Sequence, residues 1–169
     1  MAECKELWNL RKRIQSQEFE VNFAKFNSIS TWEETASYWR QELQSREKVV
    51  MALLLAEDRD DLEMFVSELG VKECKWLLKR LDVPDRTRFL SAMQPEKLQG
   101  LWKETSMMHQ RSLWNCMETS TKKALLLTFT VEQWDFAMKE QRYIFNYIWN
   151  NAVVFKDDEV EQIMEVFPI

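Results

Sequence analysis

The sequence predicts an all-α fold, a stack of short two-turn helices in twelve-residue repeats closed by longer capping helices, and three observations carry that expectation. First, from Arg46 to Gln141 the chain divides into eight consecutive blocks of twelve, and the eighth and ninth places of every block are apolar. The pairs are Leu53/Leu54, Phe65/Val66, Leu77/Leu78, Phe89/Leu90, Leu101/Trp102, Leu113/Trp114, Leu125/Leu126 and Ala137/Met138. Against an apolar content of 46%, sixteen hits from sixteen arise by chance about 4 times in a million for one frame, and roughly once in a thousand after other frames and periods are tried. Second, the apolar places within a block are 5, 8, 9 and often 12, the spacing that lines one face of two helical turns. Third, two glycines, Gly70 and Gly100, and three prolines, Pro84, Pro95 and Pro168, are too few turn formers for a many-stranded fold with tight hairpins.

Taken in order, residues 2–17 read as a helix with Leu7, Leu10 and Ile14 on one side, and a second helix covers Phe19 to Phe26. Ser30 and Thr31, with Glu33 and Glu34 three residues on, offer two overlapping capping boxes for a helix through Trp39 to Leu43. Residues 1–45 are therefore an N-terminal helical cap. The repeats occupy 46–141, and they must break between blocks. Run on as one helix, twelve residues make about 3.3 turns, so the apolar face would rotate roughly 120° per block and no single face could be buried. The block starts agree, because Asp58, Gly70, Asp82, Ser106 and Thr130 are cap or turn residues. Pro84 and Pro95 fall in first helical turns, where proline is tolerated, and Thr130 with Gln133 has capping-box spacing. A helix of about eight residues is only some 12 Å long and is stable only when stacked on neighbours. Residues 142–169 form the C-terminal capping helices of what is one structural domain. Tyr143, Phe145, Tyr147 and Trp149 lie in the first, which packs on the last repeat or on a second copy, and Val160, Ile163, Met164 and Phe167 restore the apolar spacing in the last.

The units DVPDRTRFLSAM (82–93) and QPEKLQGLWKET (94–105) place a proline or acid before a two-turn helix that ends in paired large apolar residues. In this they resemble the short-helix superhelix of two families, the cytosolic N-terminal domain of MgtE-type magnesium transporters and the armadillo-like domains of the flagellar switch protein FliG. The resemblance covers residues 46–141 and lies in architecture, without the EHPQ motif of the flagellar switch. It implies a right-handed superhelix that serves protein contact.

The net charge of −5 argues against wholesale nucleic-acid binding, which normally leaves a basic domain. Cys4, Cys74 and Cys116 are an odd number at wide spacing with no CxxC pair and no secretory apolar region before them, as expected of reduced thiols in a cytoplasmic protein. The longest apolar run, Val49 to Ala56, is eight residues where a spanning helix needs about 20, so no membrane insertion is expected. Places 6 and 10 lie four apart on one side of each helix and carry Lys75, Lys79, Lys103, Arg111, Lys123 and Lys139 against only Glu63 and Asp135. That basic stripe on an acidic chain reads as a docking track for an acidic segment of another protein, beside the plainer reading of a solvated face. Trp76, at place 7 beside the apolar pair, is the candidate aromatic anchor, whereas Trp102 and Trp114 at place 9 belong to the core. The partner-binding residues are thus Lys75, Trp76, Lys79, Lys103, Arg111 and Lys123, in a non-catalytic adaptor or scaffold.

Other constellations have plainer accounts. The acids Glu57, Asp58, Asp60, Asp61 and Glu63 read as helix-start and solvated residues in preference to a magnesium site, and so do Asp157, Asp158, Glu159, Glu161 and Glu165. His109 is the only histidine and has no cysteine near it in sequence, and Cys74 and Cys116 sit at or beside apolar places. With no GxGxxG, phosphate loop or nucleophile arrangement, neither catalysis, a cofactor nor a metal is expected. Two alternatives remain open: a helical-repeat nucleic-acid binder using the same stripe, and an inhibitor or immunity-type protein that masks a target with its acidic ends.

Overall fold

A computed structural model describes residues 30–151 and 154–166, and among them the regular elements are eleven helices and no strand. The fold is all-α. The expected helices over 2–17 and 19–26, together with Cys4 and Phe167, lie outside the described residues. The helices are α1 (Trp32–Glu42), α2 (Ser45–Leu55), α3 (Arg59–Glu68), α4 (Val71–Leu78), α5 (Val83–Ser91), α6 (Pro95–Glu104), α7 (Met107–Asn115), α8 (Thr119–Leu126), α9 (Val131–Glu140), α10 (Arg142–Asn150) and α11 (Asp157–Val166).

Helix starts follow the block starts. Asp58, Gly70, Asp82, Ser106, Glu118 and Thr130 are the N-caps of α3, α4, α5, α7, α8 and α9, each with extended backbone, and α6 begins directly after Gln94. Two caps close through side chains at the expected spacing. Thr130 accepts from the Gln133 N–H at 3.2 Å while the Gln133 amide oxygen accepts from the Thr130 N–H at 2.9 Å, and Asp58 accepts from the Asp61 N–H at 3.0 Å. Of the two overlapping boxes before α1, neither closes reciprocally: the Glu34 N–H donates to Thr31 Oγ1 at 3.1 Å, while the Glu34 carboxylate accepts from the Ser30 N–H at 3.4 Å instead of from that of Thr31. The first block departs from the frame: α2 is capped by the exposed Gln44, two residues ahead of Arg46, and only Gln44 and the buried Leu43 separate it from α1.

Thirteen of the sixteen residues at places 8 and 9 are buried, so these places do form the inner face; Leu53 and Leu113 are half-buried and Met138 is exposed. Met138 falls where α9 runs directly into α10, Gln141 being at once the C-cap of the one and the N-cap of the other. Place 5 is apolar in most blocks but polar at Arg86, Gln110 and Lys122. The first two do the same job: Arg86 Nε donates to the Leu78 carbonyl and Gln110 Nε2 to the Trp102 carbonyl, both at 2.9 Å and both eight residues back. Each adds a second donor to a carbonyl at the end of the preceding helix that also accepts a backbone N–H three residues on, from Leu81 and from Thr105.

Contacts divide the chain into two compact units, Met1–Gln94 and Pro95–Ile169, so the division falls one residue into the block 94–105, at the start of α6. In the first unit α1, α2 and α3 pack on one another around Trp39. The Trp39 indole meets Phe65 edge-on at 5.7 Å and donates its N–H to the Lys48 carbonyl at 2.9 Å, so its polar edge is satisfied where its rings are buried. In the second unit α6 packs on α8 and α9 on α10, over a run of aromatic rings. Trp102 contacts Trp114 and Phe129, and Phe129 contacts Trp134 at 5.1 Å. Polar groups inside this unit are amide-paired: Gln99 and Gln133 exchange hydrogen bonds at 2.9 and 2.6 Å, and buried Gln141 donates to Gln110 at 2.6 Å and to the Tyr143 hydroxyl at 3.0 Å.

Candidate functional site

Helix geometry separates the two places that the sequence assigns to one exposed side. At 100° per residue, place 6 lies about 110° from the middle of the apolar face and place 10 about 150° from it, so the first sits at the margin and the second points outward. The burial follows: Lys79 and Lys103, at place 10, are exposed, and Lys75 and Lys123, at place 6, are half-buried. Arg111 is exposed although it occupies place 6. Lys75 and Lys79 belong to the first unit, and Lys103, Arg111 and Lys123 to the second.

In the first unit Trp76 is half-buried, with one face covered from within the chain. The Arg80 guanidinium lies 3.9 Å from the centre of its ring and also donates to the Trp76 carbonyl, Lys48 Nζ is 5.8 Å away, and Trp39 meets it edge-on at 6.1 Å. Arg80 can stack there because it is one helical turn beyond Trp76. The neighbouring Glu73 carboxylate is taken. Arg40 forms a two-pronged pair with Glu73 at 2.6 and 2.9 Å and adds a bond to the Glu68 carbonyl, and Glu73 also accepts from the Gly70 N–H at the start of α4. Burial works against the Glu73 carboxylate, but its hydrogen bonds to Arg40 and Gly70 outweigh this and hold it below the usual carboxylate range. Lys79 is left without a carboxylate partner among the described residues.

The second unit holds a denser arrangement across α7, α8 and α10. Buried Trp114 is flanked by Tyr143 at 6.1 Å and by Tyr147, edge-on, at 5.4 Å. Two cations bracket these rings: Arg111 lies 5.6 Å from Tyr143, and Lys122 Nζ lies 5.3 Å from Trp114 and 5.1 Å from Tyr147. Neither has a carboxylate partner among the described residues. Burial pushes the Lys122 ammonium below its usual range, and cation–π attraction to the two rings acts in the opposite direction. Lys123, next in sequence, points elsewhere and pairs with Glu159 of α11 at 2.7 Å. Lys139 pairs with Asp135 along its own helix, as Arg59 does with Glu63.

The remaining singled-out residues have local roles. Asp58 caps α3, and among the described residues no group of three or more acids, histidines or cysteines could hold a metal ion. His109 Nδ1 shares a hydrogen bond with the Ser106 hydroxyl at 2.7 Å, at the start of α7. Cys74 and Cys116 are buried. No helix among the described residues is long and apolar enough to cross a membrane. Lys122 is the residue that the stripe argument passes over, because it occupies place 5, an apolar place. A lysine there breaks the pattern, and that break is the signal that could have found it. Compared with protein families, curated proteins and solved structures, the chain matches none of them.

Proposed function

We propose that the protein is a non-catalytic cytoplasmic adaptor or scaffold whose twelve-residue helical repeats form a right-handed superhelix and bind an acidic segment of another protein. The contacts fall in both units: Lys75, Lys79 and Trp76 in the first, Lys103, Arg111 and Lys123 in the second, with Lys122 added to them. The observation that carries the reading is the bracketing of Trp114, Tyr143 and Tyr147 by Arg111 and Lys122, two cations without an acidic partner among the described residues. A partly desolvated ammonium on an aromatic surface is poised for an incoming carboxylate, and aromatic and arginine side chains are the usual anchors of interfaces. The pairing of Lys123 with Glu159 favours a carboxylate partner over a phosphate backbone, since this surface already accepts one.

The test is capture of partners from lysate by the wild-type chain and by a triple variant, Lys75→Glu, Lys79→Glu and Lys103→Glu, at low and high salt. The reading expects unchanged helicity in the variant and loss of a stoichiometric protein partner that the wild type retains at low salt. A partner bound equally by both chains contradicts the basic contacts, and bound material destroyed by nuclease contradicts the choice of a protein partner.

A further inference from the structure

The last helix is attached to the second unit in an unusual way for a capping helix. No residue of α11 is buried, and Val160 and Met164, one turn apart, are exposed. Its attachment is polar and runs to α8: Glu159 pairs with Lys123 at 2.7 Å, both side chains largely shielded, and Gln162 Nε2 donates to the carbonyl of Leu127, the C-cap of α8, at 3.1 Å. Ile163 and Val166, half-buried, complete the face that Glu159 begins, at positions i, i+4 and i+7 of one helix. The helix is all acid in its charge, with Asp157, Asp158, Glu159, Glu161 and Glu165 and no lysine or arginine. Phe155, just before it, is buried and pins the chain. Among the described residues α11 is held by one ion pair, one amide bond and a few half-covered apolar groups, and a helix so held can leave while its tether stays in place.

We infer that the α8 surface around Lys123 is a docking site for an acidic amphipathic helix, and that α11 occupies it in cis as a displaceable stand-in for the partner. The inference rests on the adaptor reading and deepens it by naming the form of the acidic segment. The face that α11 presents specifies the ligand: a carboxylate, an amide donor three residues on, and apolar residues four and seven residues on, as in Glu159, Gln162, Ile163 and Val166. Lys123 is selective for the carboxylate, because an amide or a lysine in its place leaves a largely shielded ammonium without a counter-charge. The Leu127 carbonyl is selective for the donor, since it is an acceptor at a helix end with no partner of its own along the helix. Occupation in cis keeps the site closed to weak acidic ligands, and a partner helix must outcompete a segment present at high effective concentration.

The test uses the full chain and a fluorescently labelled peptide with the sequence of residues 154–166 as the probe. In Glu159→Lys, with α11 no longer paired to Lys123, the probe binds at least tenfold more tightly than to wild type, and Glu159→Gln gives an intermediate gain. Lys123→Glu abolishes binding, and the double variant Lys123→Glu with Glu159→Lys restores the cis pair with reversed charge and stays closed to the probe. Hydrogen exchange supplies the second readout: α11 amides exchange at least tenfold faster in Glu159→Lys than in wild type, while those of α8 keep their protection. Equal probe affinity of wild type and Glu159→Lys overturns the inference, as does undiminished α11 protection in that variant. Acidic-segment binding that is lost on reversing Lys103 and Arg111, yet unchanged by Glu159→Lys, would leave the adaptor reading standing and overturn only the role of α11.

Discussion

Arg40 and Glu73 show how one ion pair ties three helices of the first unit, because the guanidinium reaches α4 through Glu73 and the end of α3 through the Glu68 carbonyl. The Arg40 side chain is 38% exposed, so solvent screening keeps the pair to about 1 kcal/mol. Since Glu73 is held below its ordinary 4.5 in the fold, its contribution is present above that value and is lost as pH falls through the folded one. Glu73→Gln keeps an acceptor for the Gly70 N–H but removes the charge. It should lower stability by about 1 kcal/mol at neutral pH and flatten the acid limb of the melting temperature against pH, as followed by circular dichroism. Lys122 has the opposite sign. Its folded value lies below the ordinary 10.5, so the charged form costs stability at neutral pH, and the cost is relieved as pH rises through the folded value. Lys122→Met keeps an apolar stem on Trp114 and Tyr147, so it should raise the melting temperature by about 2 °C and at the same time weaken acidic-peptide binding. A gain in stability with loss of binding is the signature of a residue kept for contact rather than for folding.

Among the helices, the starts were legible from sequence because the residue types at block starts are the ones that cap. Asp58 and Thr130 satisfy N–H groups of the first turn with their own side chains, and the twelve-residue step carries the same geometry through Gly70, Asp82, Ser106 and Glu118. Thr130→Ala removes one half of a reciprocal cap and should cost about 1 kcal/mol, read as a lower urea midpoint. Trp39→Ala should cost about 3 to 5 kcal/mol, because it empties the centre of α1–α3 and removes the indole's hydrogen bond to the Lys48 carbonyl. What periodicity could not supply is the partner of each outward side chain. Lys103 and Lys123 share the same basic stripe in the sequence, yet Lys103 lies open and Lys123 meets Glu159, 36 residues later in the chain and on a different helix. A twelve-residue period describes which face of a helix is inner and is silent on which later helix covers the outer one. Arg80 over Trp76 is the same case within one turn: the spacing allows the stack, but only the fold shows that it forms.

At the scale of the whole chain, a net charge of −5 coexists with basic surface because many acids are used locally. Glu63, Glu73, Asp85, Asp135 and Glu159 all sit in ion pairs with neighbouring cations, and Asp58 caps a helix. Lys79, Lys103 and Arg111 are left exposed without a carboxylate partner among the described residues. The overall acidity then disfavours a polyphosphate ligand while the open cations favour a short acidic segment. The most direct measurement is a pair of titrations on the full chain at about 50 and 200 mM salt, one with a labelled acidic helical peptide and one with single-stranded DNA of equal length and charge. The account predicts that the peptide binds more tightly than the DNA at both salt concentrations and that Lys79→Glu with Lys103→Glu and Arg111→Glu abolishes its binding without loss of helicity. Tighter binding of the DNA, with affinity falling steeply between the two salt concentrations, would contradict it.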